Sequence, residues 1–92
     1  QRFRQEPDRM KLLYFAWVRQ RIGFAEEEAT PPAGVKTVHE LIEWLRTRGP
    51  SYAAAFEDMK AVRVAVNQEN TGFDAPLSQG DEVAFFPPVT GG

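Results

Sequence analysis

One stretch near the middle of the chain limits what the rest can become. Thr37 followed by Glu40 is a capping box: the hydroxyl is expected to accept from the backbone N–H of Glu40, and the carboxylate to reach back to the N–H of Thr37. Val38, Leu41, Ile42 and Leu45 then recur at i, i+3, i+4 and i+7, a single apolar stripe on one face of a helix. Arg46 and Arg48 fall near the negative end of the helix dipole, and Gly49-Pro50 stops the run. A lone stripe needs a cover, and 92 residues leave room for one compact domain to provide it.

The cover is β-structure. Residues 12–16 read as a strand rich in large apolar side chains, and residues 18–22 as a helical turn closed by Gly23. Residues 24–30 serve as the second arm of a hairpin before Pro31, Pro32 and Gly34 break it. Beyond the main helix, residues 51–59 are expected to form a second short helix. Val62, Val64 and Val66 alternate with Ala61, Arg63 and Ala65 as a half-buried strand. Residues 67–72 and 78–81 are turns, and residues 82–86 form the last strand, ended by Pro87-Pro88, which cannot donate to a ladder. Four strands with one main helix between the second and third predict an α+β fold, a mixed sheet curled over the helix.

Charge and composition remove whole classes of function. There is no cysteine, which excludes disulfides, thiolate metal sites and a cysteine nucleophile, and the single histidine, His39, cannot make a His-based metal cluster. Residues 1–9 carry Arg2, Arg4 and Arg9 against two acids, so the remaining residues hold 8 basic and 11 acidic groups. An acidic body without a basic stripe does not suit a nucleic-acid backbone. The longest apolar run, residues 12–18, is far short of the roughly 20 residues that span a bilayer, and no charged-then-apolar leader opens the sequence. The expected setting is the cytoplasm, with neither nucleic acid nor membrane as partner. Residues 1–9 are polar and lack periodicity, so they are read as an extension outside a domain at 10–88.

Within the sheet, one charged residue per strand labels the solvated face. Lys11 assigns Leu13 and Phe15 outward and Leu12 and Tyr14 toward the helix. Arg63 assigns Ala61 and Ala65 outward, and Glu82 assigns Ala84 and Phe86 outward, with Val83 and Phe85 inward. If these strands are neighbours, Leu13, Phe15, Ala65, Ala84 and Phe86 share one outer face, a candidate partner-binding patch.

The chain then finishes Pro87-Pro88-Val89-Thr90-Gly91-Gly92. Prolines stiffen the exit, glycines leave a tip without side chains, and four extended residues (89–92) reach about 13–14 Å. Such a flexible tail is able to enter a narrow pocket and present its carboxylate there. The run Phe73-Asp74, Pro76-Leu77, then Gly80-Asp81-Glu82-Val83-Ala84-Phe85-Phe86-Pro87-Pro88-Val89-Thr90-Gly91-Gly92 resembles the small, sulfur-carrier subunit family of molybdopterin synthase. Asn67-Gln68 matches the start of that block, and Phe15-Ala16, Val18-Arg19 and Gly23 match the family's opening strand and turn. Asn70-Thr71 departs from the more apolar residues of its loop.

That resemblance implies a β-grasp, ubiquitin-like fold in which Gly92 is the reacting residue and Pro88, Val89, Thr90 and Gly91 form its tail. An adenylating enzyme, using ATP, would convert the Gly92 carboxylate to an acyl-adenylate. Sulfur then replaces AMP to give a thiocarboxylate, which the large synthase subunit uses on cyclic pyranopterin monophosphate to form molybdopterin. The chain itself would bind no cofactor and no metal. Its partners would be the large subunit, in a heterotetramer, and the activating enzyme. Phe15 and Phe86 become the docking surface for both, with Arg19 a polar rim contact. Trp17 and Trp44 are read as packing rings, His39 as solvated, and Glu26-Glu27-Glu28 as a hydrated edge. The alternatives are a related β-grasp carrier for thiamine, tRNA thiolation or protein conjugation, and an interaction module whose diglycine is only a frayed end.

Overall fold

The computed structural model describes residues 9–88. The chain runs β1 (Met10–Tyr14), α1 (Ala16–Ile22), β2 (Glu26–Ala29), α2 (Val38–Arg46), α3 (Pro50–Ala55), a 3₁₀ turn (Met59–Ala61), β3 (Arg63–Val66), β4 (Glu69–Thr71) and β5 (Glu82–Phe86). These strands make one sheet in the order β2-β1-β5-β3-β4. β1 and β5 pair in parallel, while every other pairing is antiparallel.

The main helix is where the stripe puts it, with Val38, Leu41, Ile42 and Leu45 fully buried. Thr37 caps it as expected, its hydroxyl accepting from the N–H of Glu40 at 3.2 Å. The reciprocal bond lands one residue earlier than the capping box predicts: Glu40 Oε1 accepts from the N–H of Lys36 at 2.8 Å. The next two N–H groups are taken by the chain entering β5, Val38 donating to Ala75 O and His39 to Phe73 O. The open end of α2 is thereby tied to the loop that leads into the last strand.

Inward residues from the strands close over this stripe. Leu12, Tyr14, Val64, Val83 and Phe85 meet the helix residues, with Val18, Ile22, Ala55 and Phe56 filling in from the connections. Phe85 stacks on Tyr14 with ring centroids 6.0 Å apart and meets Phe56 edge-on at 5.1 Å. The two tryptophans, Trp17 and Trp44, are half-buried against the same core.

Four local expectations need correction. The first strand begins at Met10 and ends at Tyr14, because Phe15 turns the chain into α1. The short helix ends at Ala55, since Phe56 turns its ring into the core and Asp58 caps the 3₁₀ turn by accepting from the N–H of Lys60. Residues 67–72 contain a fifth strand: Asn67 and Gln68 take successive left-handed conformations (φ 52° and 72°), making a tight hairpin that folds β4 against β3. Glu27, finally, is not a hydrated edge residue. It pairs with Leu12 on the inner side of β2, its Oε2 accepts from both Tyr14 and Tyr52 hydroxyls at 2.7 Å, and its Oε1 meets Arg48 at 3.2 Å.

Candidate functional site: the outer sheet face and the tail exit

The register assembles the predicted outer face. Leu13 pairs with Ala84 and Ala84 with Ala65, giving an apolar row across β1, β5 and β3 that ends at Glu26 on one side and Asn70 on the other. One step toward the tail, Phe15 follows Tyr14 while Phe86 follows its partner Phe85, so the two residues continue neighbouring strands at the same level. Phe15 N–H still donates to Phe85 O at 3.1 Å, extending the ladder to that level. One step the other way, Lys11 pairs with both Glu28 and Glu82, and the apolar surface stops.

No described helix covers this side. The helices belong to the core cluster or pack on it, and none of Leu13, Phe15, Ala65, Ala84 and Phe86 does. Phe15 is 48% exposed, while Leu13, Ala84 and Phe86 are half-buried. Ala65 is buried despite facing outward, a single methyl group enclosed by its neighbours in the row. A large ring left in water beside three further apolar side chains is the composition of an interface centre.

The tail leaves from the same end. β5 stops at Phe86, and Pro87 and Pro88 follow, half-buried. Of the predicted tail residues Pro88 is described; Val89, Thr90, Gly91 and Gly92 lie outside the described residues. Arg19 stands exposed on α1, its backbone N–H donating to Phe15 O, so it is one turn along from the ring it was expected to flank. Phe86 thus adjoins the root of the tail, Phe15 follows the end of the neighbouring strand, and Arg19 lies on the helix that Phe15 opens. His39 is exposed on α2, away from them.

Two features escaped the sequence. Arg63, read only as a marker of the solvated face, pairs with Phe86 and completes the row Phe15, Phe86, Arg63. Only strand register carries that information. The Glu27 node holds β2 to the start of α3 and the end of α2, and burial together with the bond to Glu27 pushes the Tyr14 hydroxyl far above the usual tyrosine range. The same two causes, in the same order, push Tyr52 up to about 12. A surface groove of about 670 Å³ is lined by Met10, Pro31, Val35 and Leu77 at the opposite end of β1 from Phe15.

A mixed sheet holding one principal helix, with its other face bare, is the arrangement of the ubiquitin-like β-grasp proteins, and this fold is of that class. Within it, the chain belongs to the ThiS family, which it matches over residues 12–92. It is 46% identical to the molybdopterin synthase sulfur carrier subunit of Escherichia coli over 90% of this chain and 99% of that protein. The subunit of the same description from Haemophilus influenzae is 36% identical, again over 90% and 99% of the two chains. Among solved structures, a putative molybdopterin converting factor subunit 1 from Pyrococcus furiosus superposes with a TM-score of 0.70 at 36% identity, covering 88% of this chain and 98% of that one.

Proposed function

We propose that this chain is the sulfur carrier of a molybdopterin synthase. The observation that carries the reading is positional: the bare apolar face ends at Phe15 and Phe86, and Phe86 is the last strand residue before the Pro-Pro-Val-Thr-Gly-Gly ending. Kinship to carriers of that description over nearly the whole chain supports it. Residues 10–88 form the domain that docks, residues 89–92 the arm that reacts, and residues 1–9 an extension to both.

The chemistry follows from what a terminal carboxylate lacks. With a pKa of about 3.3–3.7 it is anionic at neutral pH and a poor electrophile. An activating enzyme joins a Gly92 oxygen to the α-phosphorus of ATP, and pyrophosphate leaves. A donor of sulfide-level sulfur then attacks the acyl carbon, the new C–S bond displacing AMP, and Gly92 becomes a thiocarboxylate. This supplies a soft nucleophile that a chain without cysteine otherwise lacks. The large subunit accepts the tail and supplies the acid–base groups for sulfur transfer to cyclic pyranopterin monophosphate. The contribution of this chain is placement: docking by Phe15 and Phe86, with Arg19 at the rim, turns the encounter of the thiocarboxylate with its target into a local event. All these partners belong in the cytoplasm.

Reconstitution tests the reading. The chain is loaded with the activating enzyme, ATP and a sulfur source, then mixed with the large subunit and the pterin precursor, alongside a variant lacking Gly92. The intact chain yields molybdopterin and the truncated chain does not; equal yields would remove the carrier role. Sulfur delivery to a thiamine precursor or to tRNA, with none to the pterin, would move the chain to a related carrier.

A further inference from the structure

Arg63 is held in place by backbone carbonyls. Its Nη1 donates to Lys60 O and Val62 O, both at 3.1 Å, so the guanidinium is fixed against the 3₁₀ turn although the residue is exposed. Arg9, Arg46 and Arg48 each meet a carboxylate: Glu28, Glu43 and Glu27 respectively. Among the described residues Arg63 meets none within ion-pair distance. A guanidinium has five donors in a rigid fork, and two contacts through one nitrogen leave the others unused. The result is an immobilised cation with open donors, paired across the strands with Phe86.

Neighbouring strands lie about 4.8 Å apart, so a surface that covers Phe86 also covers its partner Arg63. Covering a charge removes its water, which is costly unless an opposite charge with hydrogen bonds replaces it. Because the fork is already fixed, pairing it demands little further ordering. We infer that Arg63 is a specificity contact of the docking face, receiving a carboxylate that the large subunit presents beside the mouth through which the tail enters. This contact presupposes the docking reading above. It adds a requirement of its own: the large subunit must bring an acidic side chain to the β3 side of the Phe15 and Phe86 pair.

The test measures association of the full chain with its large subunit across a range of salt, for the unaltered protein, Arg63→Ala, Arg63→Lys, Arg63→Glu and Phe86→Ala. Thermal unfolding of each checks that it is folded. At low salt Arg63→Glu weakens binding by about ten-fold or more and slows association. Arg63→Ala shows a smaller loss with a shallower salt dependence, and Arg63→Lys, which keeps the charge, keeps most of the salt slope. The unaltered protein binds more slowly as salt rises, and the part of that slope missing from Arg63→Ala reads the contact. If the three Arg63 variants match the unaltered protein at every salt concentration while Phe86→Ala weakens binding, the carboxylate contact is wrong and the docking face stands. If Phe86→Ala is also without effect, the docking face falls and the contact with it.

Discussion

A glutamate on an edge strand ordinarily sits in water and discourages pairing with other chains. Glu26 and Glu28 do so, but Glu27 between them takes two tyrosine hydroxyls and an arginine, with its side chain only 14% exposed. The chain has two tyrosines, and both are committed to this one carboxylate. For each, the folded state favours the protonated phenol, so the contribution to stability is complete below the unfolded pKa of about 10. For Tyr52 it is lost as pH rises from about 10 to about 12, and for Tyr14 the loss extends further. A spectrophotometric titration of the native chain should therefore show tyrosine ionisation delayed beyond that of the denatured chain, and Glu27→Gln should bring it forward. Ionisation of both at the ordinary pKa in the native chain would contradict the node. At the other end, Gly91→Val and Gly92→Val place branched side chains on a tip that must enter narrow sites. Adenylation and sulfur transfer, measured separately, should each fall sharply for both variants.

At the scale of elements, adjacent residues of β5 should behave in opposite ways. Phe85 is fully buried between Tyr14 and Phe56, so Phe85→Ala should cost roughly 3–5 kcal/mol of stability and leave little folded protein. Phe86 lies on the uncovered face, so Phe86→Ala should cost less than about 1 kcal/mol while weakening binding to the large subunit. Thermal unfolding and binding assays on the two variants separate these roles. On α2, Thr37→Ala removes the acceptor for the N–H of Glu40 and should cost about 1 kcal/mol by chemical denaturation. The loss is contained because the carbonyls of Phe73 and Ala75 still hold the two preceding N–H groups. These assignments were legible wherever periodicity was strict. The stripe of α2 and the inward and outward residues of β1, β3 and β5 follow from spacing plus one charged label per strand. β4 escaped because Glu69, Asn70 and Thr71 carry no apolar alternation; its pairing is imposed by the Asn67-Gln68 turn. Glu27 escaped because three identical residues hide which one faces inward.

For the molecule as a whole, the division of labour follows from topology. Parallel pairing of β1 with β5 puts the end of the first strand and the root of the tail at the same end of the sheet, which is why Phe15 and Phe86 follow a paired Tyr14 and Phe85 although far apart in the chain. Arg63 joins them only because β3 lies on the other side of β5, a fact of sheet order that no local pattern encodes. The outward placement of the two phenylalanines was thus predictable from alternation once the strands were assumed to be neighbours, whereas the charged residue paired with Phe86 required the fold. The helix side of the sheet carries the core, and no described helix covers the other side.

The central claim is that the Gly92 carboxyl group is loaded with sulfur, and the most direct measurement is the mass of the intact chain recovered from the cell that makes it, with fragmentation to locate any change. A population in which one terminal oxygen is replaced by sulfur, confined to Gly92 and absent from cells lacking the activating enzyme, is the predicted result. A chain that carries only the unmodified carboxylate when the pathway is running, or that bears its sulfur elsewhere, would contradict the account.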